Sequence, residues 1–187
     1  MPDVIVISGA NGAGKSTLAP YLLRDTLKIV EFVNADTIAL GLSAFAPEAA
    51  AFEAGRIMLT RLNELAEKKD DFAFETTLAT LSYVRRINIL QSQGYHFQLI
   101  YLWLKTADLA VARVRERVRM GGHDIPKETI RRRYERGLRN FFDIYQSLAD
   151  AWKVYDASAV ELEKVAYGDK LSGTTVVDEA LWKKINP

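Results

Sequence analysis

The sequence has no cysteine, which excludes thiol nucleophiles, disulfide staples and cysteine-ligated metal centres, and suits a reducing compartment. Its two histidines, His96 and His123, lie too far apart for ligand spacing, so an imidazole-based zinc site is not expected. No apolar run approaches the roughly 20 residues that a bilayer-spanning helix requires. Neither sign of charge dominates: 25 lysines and arginines stand against 24 aspartates and glutamates, a formal net charge of +1. No global field therefore draws the chain to nucleic acid or to a membrane, and any basic surface must be local. The opening residues carry no signal-peptide pattern, so the expected location is cytoplasmic, with neither a membrane nor a nucleic-acid partner. Repeats, low-complexity segments and linkers are missing too. A chain of 187 residues, 49% of them hydrophobic, is then expected to form one domain, 1–187, with a small lid.

What is present starts at once, with VIVISGANGAGKSTL at residues 4–18. Val4 to Ile7 has the continuous β-branched character of a strand buried on both faces, and Lys15 to Arg24 can follow as a helix. Between them, Gly9, Ala10, Asn11, Gly12, Ala13, Gly14, Lys15 and Ser16 fit G-x-x-x-x-G-K-[ST], the P-loop. Glycines let the backbone turn tightly and aim several N–H groups at one point, where the helix N-terminus adds partial positive charge. A polyphosphate is the expected occupant. Lys15 would reach its β- and γ-phosphates, the Ser16 hydroxyl would ligate Mg²⁺, and Thr17 would support the α-phosphate.

Further strands are expected at Ile29 to Val33, Phe72 to Phe74, the YHFQLIYLWL run from Tyr95 to Leu104, and the WKVYDAS run from Trp152 to Ser158. Helices are expected over Pro47 to Lys69, Thr80 to Gln93, Thr106 to Met120, and Pro126 to about Asp150. In the last of these, Ile130, Tyr134, Leu138, Phe141, Tyr145 and Leu148 step by three and four. This alternation predicts an α/β fold with a parallel sheet covered on both faces. In the tail, VELEKVAYGDKL suggests a small hairpin turning at Gly168-Asp169, and Val176 to Ile185 a terminal helix.

Ligands in such sheets bind beyond the carboxyl ends of the strands. Asp36, in FVNADTI, is placed there to take a proton from an attacking hydroxyl, or else to cap a following helical turn. Glu75, in FAFETTL, ends an apolar strand, where a carboxylate needs a ligand, a metal or a basic partner. Arginines are dense on both sides of MGGHDIP: Arg113, Arg115, Arg117 and Arg119, then Arg131, Arg132, Arg133, Arg136 and Arg139. Helix, glycine hinge and helix with converging guanidiniums would make a lid over phosphates. The bland reading is a solvated face in which Glu116, Glu128 and Glu135 pair with some of them. His123 is expected to order the hinge. Because Tyr134 and Leu138 hold their helix to the core, Arg119 and Arg132 are expected at the phosphates ahead of Arg139.

Together GANGAGKST, NAD, FETTL and GGHDIPKETIRRRYERGLRNF resemble the zeta-toxin-like P-loop kinases, over about residues 3–156. The resemblance implies a P-loop nucleoside triphosphate hydrolase fold of the nucleoside-monophosphate-kinase type. That means a five-stranded parallel sheet with helices on both faces, a helical lid at about 113–139, and a small C-terminal extension at about 158–187. It implies ATP and Mg²⁺ as cofactors, and phosphorylation of the 3′-hydroxyl of UDP-N-acetylglucosamine, which starves cell-wall synthesis. It places Lys15 and Ser16 at ATP-Mg²⁺, Asp36 as general base, Glu75 and its neighbour Thr76 at the acceptor sugar, and Arg119 with one of Arg131, Arg132 or Arg133 at the phosphates. An antitoxin protein is the implied partner. The longer C-terminal part of larger zeta toxins has no counterpart here, and Thr37-Ile38 follows NAD without the basic residue often found there. The residues leave two other readings open: a different hydroxyl acceptor, such as a polynucleotide end, an antibiotic or another metabolite, and a nucleotide-switched binding module.

Overall fold

Val4, Ile5, Val6 and Ile7 are at most 1% exposed, as a β-branched strand covered on both faces must be. In the computed structural model, which describes residues 1–186, they form the middle of β1 (Asp3–Gly9). The strands β2 (Glu31–Val33), β3 (Phe72–Thr76), β4 (His96–Trp103) and β5 (Ala151–Asp156) run parallel to it in the order β2-β3-β1-β4-β5. The chain leaves β1 towards β2 on one side and leaves β3 towards β4 on the other. The carboxyl ends of β1 and β3 therefore flank a crevice.

Alternate residues of β1 feed two cores. Val4 and Val6 pack with Phe72, Phe74, Phe97 and Leu99 beneath α3 (Ala51–Lys68) and α4 (Ser82–Ser92). Ile5 and Ile7 pack with Ala73, Ile100 and Leu102 beneath α1 (Lys15–Ala19), its π-helical continuation Pro20–Thr26, and α5 (Ala107–Arg119). The helix α2 (Ala35–Leu42) follows β2 directly, where the sequence pattern promised no more than a turn.

The next helix, α6 (Lys127–Asn140), joins the two cores across the carboxyl edge of the sheet. Its Ile130 belongs to the core beneath α5, whereas Phe141 and Tyr145, in the π-helical Phe141–Tyr145 that continues it to α7 (Gln146–Leu148), belong to the other. Gly137 is where α6 crosses the chain leaving β3, and a Cβ there would overlap the Thr77 carbonyl oxygen. Asn140 Nδ2 donates to the Leu78 carbonyl at 2.6 Å and the Tyr145 hydroxyl to the Thr80 carbonyl at 2.9 Å. Gly137→Ala is expected to destabilise the protein by about 1–3 kcal/mol, the scale of overpacking, although alanine is the better helix former. Urea unfolding measures this, and an unchanged midpoint would show that α6 does not rest on Thr77.

The sheet is larger than the five strands expected. Two more, β6 (Glu163–Asp169) and β7 (Gly173–Val176), add antiparallel to β5, giving a seven-stranded mixed sheet. They form the hairpin expected in the tail, but it turns through Lys170 to Ser172 and not at Gly168-Asp169. Asp169 Oδ1 accepts the N–H groups of Leu171 and Ser172 at 2.8 and 2.6 Å, which fixes the turn after it. Gly168 lies inside β6, paired with Trp152 of β5 and Thr174 of β7, and a Cβ there would lie 2.5 Å from the Gly173 carbonyl oxygen and 2.8 Å from the Trp152 indole. The terminal helix starts later than Val176: α8 (Glu179–Ile185) begins behind Asp178, which caps it through Leu181 N–H at 2.8 Å. Trp182 of α8 stacks on Trp152, ring centroids 5.8 Å apart.

Candidate active site

At the end of β1, Gly9 has φ 139° and Gly12 φ 83°. A Cβ at Gly9 would overlap the Leu102 carbonyl oxygen of β4, and one at Gly12 would lie 2.9 Å from the Ala110 carbonyl oxygen of α5. Only glycine lets the loop pass this close to both elements. Lys15 lies beneath the loop, 7% exposed, with Nζ donating to the carbonyls of Gly9 and Ala10 at 3.0 Å each. Burial is the main influence that pushes its ammonium below the usual lysine range. The carboxylates of Glu75 and Asp36 oppose that shift, and the guanidiniums of Arg117 and Arg133 add to it. The charges that act on Lys15 thus come from β3, α2, α5 and α6.

Ser16 is exposed at the mouth of the loop, and its Oγ donates to Glu75 Oε2 at 2.8 Å. Glu75 stands beside Ile7 in the pairing of β1 with β3, so the sheet itself brings it to the P-loop. Asn34, 5% exposed, accepts the N–H groups of Asp36 and Thr37 at 2.8 and 3.1 Å through Oδ1, and donates from Nδ2 to Ser16 Oγ at 3.3 Å. Asn34, and not Asp36, is therefore the cap of α2. Asp36 sits in the first turn with its side chain exposed.

Facing Asp36 is a cavity of about 430 Å³. Ser16, Asn34, Asp36 and Thr37 line it together with Arg117, Gly122 and His123. Arg117 is held there by the hinge: Nη2 donates to the His123 carbonyl at 2.8 Å, and a Cβ on Gly122 would come within 2.6 Å of Arg117 Cγ. His123 also faces Glu48, Nδ1 to Oε2 3.7 Å, across the cavity mouth. Arg133 Nη1 donates to Asn11 Oδ1 of the P-loop at 3.3 Å.

The arginines singled out in the sequence lie elsewhere. Arg119 is on the solvent side of α5, its side chain 70% exposed and paired with Glu116 at 3.2 Å, and Arg132 is exposed on α6. The reason is helical phase. Arg113 and Arg117 flank the buried Ala110 and Val114, and Arg119 falls roughly 200° round from Arg117. Likewise Arg133 flanks Ile130 and Gly137, whereas Arg132 points away. Arg113 holds the carbonyls of Ala157 and Ser158 at 2.7 and 2.8 Å, and Arg131 pairs with Asp108. Thr76 turns onto its own loop, Oγ1 accepting Leu78 N–H at 3.2 Å, and Thr17 is exposed. Asn34 has no place in the sequence reading, Arg117 stands there only among the dense arginines, and Arg133 only as one of three alternatives. Counting helical phase from the apolar positions finds both arginines, and nothing in the sequence alone marks the reach of Asn34 to Ser16.

The arrangement can neutralise a polyphosphate, offer oxygen ligands to a cation and present a carboxylate to a neighbouring hydroxyl. Among solved structures, the chain is similar to one from the PezAT toxin-antitoxin system of Streptococcus pneumoniae, with 18% identity, 98% of this chain and 78% of that chain covered, and TM-score 0.73. It is also similar to a chain of the AvrRxo1-ORF1:ORF2 complex solved with ATP, with 16% identity, 99% and 63% covered, and TM-score 0.76. It thus spans less than two thirds of that AvrRxo1 chain. At these identities the likeness is one of fold, a P-loop kinase-like α/β fold. An uncharacterized protein of Haemophilus influenzae is 30% identical over 130 residues, which is 70% of this chain and 91% of that protein. The model of the AAA_33 family, described as AAA domain, matches residues 4–142. That span holds every residue gathered around Lys15, and the chain belongs to the AAA_33 family.

Proposed function

We propose that this chain is an ATP-dependent kinase that transfers the γ-phosphoryl group to a hydroxyl of a small molecule, and that the acceptor is a nucleotide sugar, UDP-N-acetylglucosamine, phosphorylated at its 3′-hydroxyl. The observation that carries the reading is the geometry at the end of β1: Lys15 buried beneath the P-loop, Glu75 2.8 Å from Ser16 Oγ, Arg133 3.3 Å from Asn11, and Asp36 and Arg117 lining one cavity with Ser16. Lys15 leaves its two carbonyl partners for the β- and γ-phosphates, and the P-loop N–H groups hold the rest of the chain of phosphates. The hydroxyl of Ser16 and the carboxylate of Glu75, 2.8 Å apart, are hard oxygen donors that fit Mg²⁺. Bound there, the ion would neutralise charge between the β- and γ-phosphates. Asp36 accepts the proton of the acceptor hydroxyl as its oxygen bonds to the γ-phosphorus. The bond from that phosphorus to the β,γ-bridging oxygen breaks, and ADP departs with the electron pair. Arg117 and Arg133 offset the charge on the transferring group.

If Asp36 is the base, Asp36→Asn retains the fold and ATP affinity, because the cap of α2 belongs to Asn34. Acceptor phosphorylation then falls by about 10²–10⁴-fold, the worth of a general base. Calorimetry with a nonhydrolysable ATP analogue beside an initial-rate assay checks both halves, and full activity would leave Asp36 a structural residue.

The acceptor is tested by mass spectrometry of a nucleotide-sugar panel incubated with protein, ATP and Mg²⁺. A cavity of about 430 Å³ lies near the small end of the range of roughly 300–1,000 Å³ for ligand sites. That favours, as a second reading, a smaller alcohol such as an antibiotic or a metabolite, so both belong in the panel. A polynucleotide acceptor would show steeply salt-dependent binding. Similarity to a chain of a toxin-antitoxin system supports a protein antitoxin as partner. We take residues 1–187 as one kinase domain working in the cytoplasm; among the described residues no helix is long and apolar enough to cross a membrane.

A further inference from the structure

We propose that Asn34 is a positioning residue for the cation site, fixing the direction of the Ser16 hydroxyl and tying it to the helix that carries Asp36; this rests on the ATP-Mg²⁺ reading above. An amide side chain can be turned two ways, and here the helix decides. Oδ1 is claimed by two backbone N–H groups, Asp36 at 2.8 Å and Thr37 at 3.1 Å, so the other end of the amide must be the donor. That donor lies 3.3 Å from Ser16 Oγ. Ser16 therefore accepts from Asn34, and its own hydrogen goes to Glu75 Oε2 at 2.8 Å. A hydroxyl oxygen has two lone pairs. One is used by Asn34, and the other remains for a cation on the exposed side of Ser16.

The same amide sets the start of α2, and with it Asp36 two residues on. Since Asn34 is 5% exposed and at the end of a strand pairing with β3, it has little freedom to yield. One side chain thus holds in register a cation ligand on the P-loop and the carboxylate facing the acceptor cavity. A mere cap would need only Oδ1.

The two roles are separable, because serine caps a helix about as well as asparagine but is too short to reach Ser16. Asn34→Ser is expected to keep the melting temperature within about 2 °C. With the protein saturated by a nonhydrolysable ATP analogue, its affinity for Mn²⁺, read by electron paramagnetic resonance, is expected to fall by about 10–100-fold, the range for lost ligand-orienting partners. In a Ser16→Ala background the same substitution should cost nothing further, since the group it orients is gone. Asn34→Thr, another hydroxyl cap, repeats the comparison should the serine variant not fold. Unchanged Mn²⁺ affinity, or an equal loss with and without Ser16, would overturn the proposal. A wild-type protein that binds no Mn²⁺ with the analogue overturns the nucleotide reading along with it. A wrong acceptor leaves all of these binding results as expected.

Discussion

Lys15→Ala is expected to reduce ATP turnover to background while the circular dichroism spectrum and melting temperature stay close to wild type. The two halves of this result have different causes. Lys15 is 7% exposed, and its ammonium is held below the usual lysine range chiefly by burial, so the charge is a cost to the folded protein that alanine removes. Against that gain, the carbonyls of Gly9 and Ala10 lose their 3.0 Å partners, and the opposing effects leave stability near its starting point. Turnover has no such compensation, because the positive charge that would meet the β- and γ-phosphates is gone. ADP release measured beside thermal unfolding checks both, and comparable turnover in the variant would discard the P-loop assignment.

Arg117→Ala is expected to lower kcat by about 10³–10⁵-fold, the worth of an arginine acting on a transferring phosphoryl group, with the KM for ATP nearly unchanged. An arginine engaged only in the transition state lowers the barrier without tightening substrate binding, so kcat and kcat/KM fall together. Arg117 lines the same cavity as Asp36 and is already steered by the His123 carbonyl and by Gly122. Arg117→Lys should recover little, because an ammonium lacks the planar fork. Arg119→Ala, removing an exposed pair with Glu116, should stay within a factor of about two. The reverse pattern, a silent Arg117 and a damaging Arg119, would mean that the hinge rearranges to bring the other face of α5 over the P-loop.

The parts of the site legible in the sequence are those that local chemistry dictates. A strand, a glycine loop and a lysine opening a helix can be read from residues 4–18 because each step depends on its neighbours alone. The parallel strands show as β-branched runs for the same reason. Arg117 and Arg133 were legible in principle through helical phase, but density of arginine is a poorer guide than the angle each makes with Val114 or Ile130. Other features depend on contacts distant in sequence. The place of Gly168 within β6 is set by its pairing with β5 and β7, and the second partner of Asn34, Ser16, comes from the P-loop 18 residues away. Neither leaves a local trace.

The crossing of α6 over the sheet edge bears on how the protein opens. A lid that hinges freely as a unit needs its own patch of surface, released without disturbing the rest. Here Ile130 and Phe141 are embedded in opposite cores, and the helix is moored to the chain beyond β3 at Gly137 and Asn140. Lifting α6 would expose apolar surface on both faces of the sheet at once, so its amides belong to the same cooperative unit as the central strands and exchange only when that unit opens. Motion that admits and releases a ligand is left to the stretch around Gly121 and Gly122 and the end of α5. For the proposed kinase, ligand exchange would then be a small local excursion, decoupled from the stability of the domain.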